Sequence, residues 1–416
     1  MYKRNPVWFF IGFLVVSPLI SARSEHLVDH HDSITVDPQL SLPELVDITF
    51  ENYPEAIIIP ALQQEVEALN QRGNSFLAGA LTASFYYRDD AVGNDTGNRE
   101  IEGAIKAPLW NWGQRQAGQN LAEQAEKTNL LKATVLKWQV AGLIRSALWD
   151  LALENQRYQL AIKVYEISEK LLATIQRRVD LGDLARADAL LAKTELLQKR
   201  SALMAAEAEL MHARKRFSTL TQMTRIPENF REELTPLTDF GNHPALAAAN
   251  ALIERKRADL DWIKAQGSGQ STIALGGKSE RGSRFEQDIE SMTFSLSVPF
   301  GGSSHLAPQI AAANLELSQV ISQRDQLLRN LGRAFHEANH VLEVDRAELK
   351  IASELKAIAN EHLKMARLSF DEGEINLLDF LRIQARTQAA IQQAEEKAIF
   401  VGRDIAQFNQ AVGVLP

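Results

Sequence analysis

The chain has 416 residues, of which 45% are hydrophobic and 24% charged, with a formal net charge of -8 and no cysteine. Lack of cysteine excludes both a disulfide framework and a lipid-modified N-terminal cysteine. Acidic charge spread along the chain excludes nucleic acid as a partner, which would call for a basic stripe.

Lys3 and Arg4, the apolar run from Trp8 to Val16, and Ser21-Ala22 read as a secretory signal peptide over residues 1–22, cut near Ala22. Its apolar core is too short to span a membrane, and no later window approaches about 18 consecutive apolar residues. An exported chain of this size without disulfides fits the periplasm or outer membrane of a Gram-negative cell. Residues 23–42, with His26, His30, His31 and Pro38, show no periodicity and are expected to form an extended, weakly ordered lead-in. Those histidines are read as part of a polar segment and not as a metal-ligand set.

From residue 43 the chain is one unit written twice, over 43–223 and 242–416, joined by a linker at 224–241. Asn52-Tyr53-Pro54 returns as Asn242-His243-Pro244, Pro108 as Pro299, and Gly182 with Asp188 as Gly373 with Asp379, each about 190 positions later. A period this long is no solenoid repeat, because each copy holds several elements. Each copy opens with a helix behind its proline, to about Asn70 and about Gln266, since proline suits a first helical turn.

Then the period falls to two. Leu81, Ala83, Phe85 and Tyr87 alternate with Thr82, Ser84, Tyr86 and Arg88; Ile101, Gly103, Ile105 and Ala107 alternate with Glu100, Glu102, Ala104 and Lys106. In the second copy Ile273, Leu275 and Gly277 alternate with Thr272, Ala274 and Gly276, and later Met292, Phe294, Leu296 and Val298 alternate with Thr293, Ser295 and Ser297. This predicts β-hairpins over 80–109 and 271–299, with polar loops at Asp89 to Asn98 and Ser279 to Asp288. Strands of about ten residues with one apolar face are the pattern of a transmembrane β-barrel, and Trp110 and Trp112 stand where an interfacial aromatic belt would lie. Amphipathic hairpins of a soluble domain are the competing reading.

Past Trp112 and past Pro308 a helical period runs for roughly 65 and 60 residues, on the order of 90 to 100 Å at 1.5 Å per residue. Leu160, Val164, Ile167, Leu171 and Ile175, and Leu317, Ile321, Leu328, Leu331 and Phe335, have the three-four spacing of a coiled-coil seam. Each long helix stops at a glycine, Gly182 or Gly373, which favours the left-handed conformation that reverses a chain. A second helix follows, giving long helical hairpins over 112–221 and 308–412. The expected fold class is therefore mainly α with a transmembrane β-barrel.

Four strands cannot close a barrel, and open strand edges in hydrocarbon cost several kcal/mol per unpaired group. Other copies must complete it; eight strands leave no passage, so three chains and twelve strands are the simplest count with a pore.

The order helix, strand hairpin, long helical hairpin, written twice, with the turns Leu-Gly-Asp-Leu-Ala-Arg-Ala-Asp at 181 to 188 and Glu-Gly-Glu-Ile-Asn-Leu-Leu-Asp-Phe-Leu at 372 to 381, resembles the TolC family of outer-membrane efflux proteins. The resemblance covers nearly the whole mature chain. It implies a homotrimer: a 12-stranded barrel in outer-membrane lipid, continued by an α-helical tunnel across the periplasm. It implies a passive duct that docks by its tips on a periplasmic adaptor (membrane fusion) protein and carries substrates from an inner-membrane efflux pump. Length and the missing anchor cysteine look most like the branch serving heavy-metal pumps of the resistance-nodulation-division (RND) type. A duct for type I protein secretion is the alternative within the family.

In that family a ring of aspartates narrows the tunnel entrance, and the matching position is Asp379. The family's second aspartate ring is replaced here by Arg382, which suggests an Asp379 to Arg382 pair; Asp188 is the first-copy equivalent. Val179, Leu181, Gly182, Leu184, Phe370, Gly373 and Ile375 are the tip residues expected to meet the adaptor, since exposed apolar groups at a turn suit a partner.

His336-Glu337-Ala338-Asn339-His340 matches H-E-x-x-H, with Glu361 downstream as a candidate third ligand, so a zinc peptidase is the reading from another class. Its place inside an uninterrupted helix argues against it. A soluble coiled-coil scaffold is a further alternative. No phosphate-binding loop or nucleophile elbow occurs, so no enzyme activity, cofactor or resident metal is expected, and transport work falls to a partner.

Overall fold

A computed structural model describes residues 33–236 and 240–416; the expected signal peptide and His26, His30 and His31 lie outside them. Thr35–Asp37 forms a short strand, β1, that pairs in parallel with β4, Arg225–Pro227, and Asp37 meets Arg225 at 2.9 Å. The end of the expected lead-in is thus tied to the linker between the copies. Helix α1, Leu42–Glu51, follows, capped by the Ser41 hydroxyl, which accepts from the Glu44 amide at 3.3 Å. The lead-in was expected to be weakly ordered as far as residue 42. Its last residues order because Leu40, Leu42, Leu45 and Val46 bury against the helices of the first copy, a tertiary gain that no local period reveals.

The first copy continues with a 3-10 turn at Pro54–Ile57, α2 (Ile58–Asn74), β2 (Thr82–Asp89), β3 (Arg99–Leu109), α3 (Gln114–Asp180) and α4 (Arg186–Thr221). The second has α5 (Pro244–Ala265), β5 (Ser271–Arg281), β6 (Ile289–Ser297), α6 (Ser303–Asp371) and α7 (Leu377–Ala411). At 67 and 69 residues, α3 and α6 are each about 100 Å long. Helix α6 starts ahead of Pro308 and carries that proline in its second turn. One lost amide donor is tolerated there, and the Gly302 carbonyl accepts from His305 and Leu306 at 3.0 and 3.2 Å to hold the start.

Strands β2, β3, β5 and β6 form one antiparallel sheet in that order at one end of the long helices. At the other end, the turns between α3 and α4 and between α6 and α7 form the tips. Along the way α2, α4 and α5 pack on α3, and α7 packs on both α6 and α3.

The principal core lies between these ends. Val140, Ala141, Ile144 and Leu148 of α3, Phe217 of α4 and the apolar face of α1 are fully or nearly buried there. Among them Arg145, 3% exposed, makes a two-pronged pair with Glu232 at 2.8 and 2.6 Å and donates to the Val414 carbonyl at 3.1 Å. Asn409 donates to Glu232 and to the Glu233 carbonyl. A buried guanidinium is tolerable only with its donors satisfied, and here they clamp the linker and the C-terminal residues onto α3. Tip residues form a separate core around Ile175, Phe370, Leu377 and Phe380.

Candidate functional site

Cross-strand register decides what the sheet can face. Ala83, Ile105, Leu275 and Phe294 stand in one row, and Phe85, Gly103, Gly277 and Met292 in the next. Rows in the opposite phase hold Thr82, Lys106, Ala274 and Ser295, and Tyr86, Glu102, Lys278 and Ser291. Residues directly opposite share a face, so one side of the sheet is a continuous apolar surface and the other is polar. Phe85, Phe294 and Met292 are 75%, 67% and 78% exposed, although nothing in the chain needs such groups in water. On the polar side Glu100 bridges Lys278 at 2.8 Å and Arg88 at 3.8 Å. The outer edges of β2 and β6 have no strand partner among the described residues.

The loops at the far end of the hairpins are joined. Arg284 donates its amide to the Thr96 carbonyl at 2.9 Å and pairs with Asp95, and Arg99 of β3 meets Asp288 at 3.0 Å. The Thr96 hydroxyl, helped by the Thr96 and Gly97 amides, holds the Asp90 carboxyl below its usual range. At the helical end, Asn111 ties the copies together by donating to the Gln266 and Gly269 carbonyls at 2.8 and 2.9 Å. The expected aromatic pair divides. Trp112 is fully exposed, as are most of Phe76 and Phe300, whereas Trp110 donates to the Ser75 carbonyl at 3.1 Å and packs edge-on against Trp262.

Both tips close by the same device. Gly182 and Gly373 have φ of +85° and +78°. In the first, Asp183 donates to Arg178 and Gly182 to Val179; in the second, Glu374 donates to Ser369 and Gly373 to Phe370. This is the Schellman arrangement, which needs a left-handed residue at the glycine position. Asp188 and Asp379 then occupy equivalent third positions of the helices that follow. Asp188 accepts from the Ala185 amide at 3.3 Å. Asp379 accepts from the Asn376 side chain at 2.9 Å and from Arg382 at 3.4 Å, while its own amide is capped by Asn376 at 2.8 Å. Both carboxylates also lie in the favourable field of a helix N-terminus.

Of the tip candidates, Leu181 is 72% exposed, with Gly182 and Gly373 exposed beside it. Val179, Leu184 and Ile375 are half-buried against the tip core. Phe370 is only 4% exposed, stacked on Phe380 at 5.1 Å with the Arg178 guanidinium over its ring, so it supports the tip from inside.

The H-E-x-x-H segment lies in mid α6. His336 and His340 stack in parallel on an exposed stretch. Glu361 is on the same helix, six turns beyond His340, or about 30 Å. It cannot be the third ligand suggested by sequence distance, and no group of three metal-binding side chains occurs among the described residues.

Sequence reading missed a second charged cluster, between α6 and α7. Asp404 of α7 is 1% exposed beside Asp345 of α6. Lys397 reaches Asp345 at 2.7 Å and also contacts Glu348, and Arg403 meets Asp404 at 3.0 Å. Burial, then the neighbouring Asp345, push the Asp404 carboxyl up to about 6. Burial opposes ionisation of Asp345 as well, but Lys397 and a hydrogen bond from Asp404 hold its carboxyl below the usual range. Asp404 Oδ2 receives no protein donor, and two neighbouring buried carboxyls share one proton more readily than both ionise.

No protein-family model and no curated protein sequence matches this chain. Solved structures do. CusC, described as forming a transmembrane channel, matches with 12% identity over 93% of this chain and 95% of that chain, TM-score 0.71. The Campylobacter jejuni CmeC outer membrane channel matches with 12% identity over 97% and 94%, TM-score 0.68. The Neisseria gonorrhoeae MtrE outer membrane channel, in its open state, matches with 16% identity over 95% and 93%, TM-score 0.67. The chain has the fold of these outer-membrane channels.

Proposed function

We propose that this chain is one third of a passive duct through the outer membrane, the channel component of a tripartite efflux system. The observation that carries this reading is the four-stranded sheet, apolar on one side and polar on the other, with both edges open. In lipid that sheet is stable only when copies join edge to edge, and the polar side then lines the passage. Exposed residues seven apart, Leu190, Leu197 and Met204 on α4 and Ile351, Ile358 and Met365 on α6, give neighbouring copies a coiled-coil seam below the barrel. Three chains give twelve strands, enough for a pore.

In this reading energy comes from an inner-membrane pump, proposed to be of the RND type and reached through a periplasmic adaptor; no helix among the described residues is long and apolar enough to cross a membrane. The exposed turns at Leu181 and Gly373 are the contact surface this reading assigns to the adaptor. Asp379, paired with Arg382, is the proposed constriction residue, and Asp188 is assigned to capping. Heavy-metal cations are proposed as cargo only from the resemblance to the branch serving heavy-metal RND pumps. The mature chain is expected to fractionate with outer membrane, cross-link as a trimer and give channels in planar bilayers. A soluble monomer that keeps its sheet away from lipid would refute the reading.

A further inference from the structure

Above the tips, α7 packs on both α3 and α6 and forms the floor of a cleft between them with a volume of about 530 Å³. This is within the range of small-molecule sites. Val164, Leu363 and Ile391 give it apolar walls. Lys163, Lys364 and Arg367 stand at its rim, all exposed and none with an ion-pair partner among the described residues. Glu395, the acidic residue of the lining, is already engaged by Lys356 and by Gln156. On the floor, Gln388 holds its side-chain nitrogen away from solvent with no acceptor. A buried donor without a partner costs about 1–3 kcal/mol, and a bound acceptor would remove that cost.

We propose that this cleft binds an amphipathic anion, with its apolar body between α3 and α6 and its carboxylate, sulfonate or phosphate among Lys163, Lys364 and Arg367. Apolar walls alone would accept any greasy molecule. Three unpaired cations and an unsatisfied donor select a negative head and disfavour a positive one. All the groups involved belong to one chain, so the site does not depend on barrel closure, and its failure would leave the duct reading intact.

The absence of cysteine from the chain makes the test clean. Ile167→Cys, at the half-exposed mouth of the cleft, is introduced into the full chain assembled in lipid nanodiscs without free detergent, and its rate of maleimide labelling is measured. Dodecanoate is expected to slow labelling at least tenfold in a saturable manner. Dodecyltrimethylammonium and dodecanol should be much weaker. Lys364→Glu with Arg367→Glu should abolish protection by dodecanoate, and Gln388→Leu should weaken it several-fold while labelling without ligand stays fast. Equal protection by the three probes, or protection that survives charge reversal, would overturn the proposal. So would a thiol that no probe protects, or one that is unreactive without ligand because a neighbouring copy covers it.

Discussion

Asp404 and Asp345 are two carboxyls where the helical packing of α6 and α7 has room for one charge. The native Asp404 takes up a proton more readily than an unfolded aspartate, so its stabilisation is complete below about pH 4 and lost as pH rises through about 6. Asp345 has the opposite sign: its stabilisation is present above the ordinary aspartate range near about 3.9 and lost as pH falls below it. The two windows overlap near pH 5. Unfolding stability should therefore be higher at pH 5 than at pH 7.5, by about 1–1.5 kcal/mol per chain. Asp404→Asn should flatten that difference; denaturant unfolding at the two pH values measures it. Arg145 offers a contrasting case, since it is held by a two-pronged pair with Glu232. Arg145→Ala leaves Glu232 without its main partner in a buried site and should cost about 3–5 kcal/mol, read from the same unfolding curves.

Elements differ in how far their residues announce them. The strands were legible because alternation has one period and one meaning: Phe85 and Phe294 fall on the apolar face that their spacing assigns, and register brings them to the same side of the sheet. The tips were legible because a left-handed residue favours glycine, and Gly182 and Gly373 fill that place. Helix α1 and strands β1 and β4 were not, because three-residue strands and one ten-residue helix take their stability from the principal core and carry too few turns to show a pattern. Glu232 and Asp404 were hidden for a related reason: a charged residue in a helix or linker looks solvated until its long-range partner is placed. Phe370 was read as a surface contact because it flanks the turn, whereas its helical phase turns it toward Phe380. Asp379 is held by Asn376 and Arg382 at an exposed helix start, which suits an adjustable constriction. If it has that role, Asp379→Ala will raise single-channel conductance or remove block by trivalent cations in planar bilayers; no change in either would assign it to capping alone.

At the scale of the whole molecule, a sheet that is unfinished in one chain stands at the end of helices that are complete. The apolar side should then tolerate no charge once it faces lipid. Leu275→Lys, in the middle of β5 on that side, should cost about 2–4 kcal/mol if its position is near the bilayer midplane, and outer-membrane trimer should fall while the helical content of the unassembled chain is kept. A polar-side change such as Ser84→Lys should leave assembly intact. Gel separation of trimer from monomer, with circular dichroism of the unassembled fraction, distinguishes the two.

The two helical arms of the chain match closely in extent: α3 and α6 have 67 and 69 residues, and α4 and α7 have 36 and 35. Their turns therefore finish at nearly the same height. In the proposed threefold ring such chains would present six blunt knuckles on one level instead of three, so a docking collar with six alike fingers would find a nearly matching seat for each.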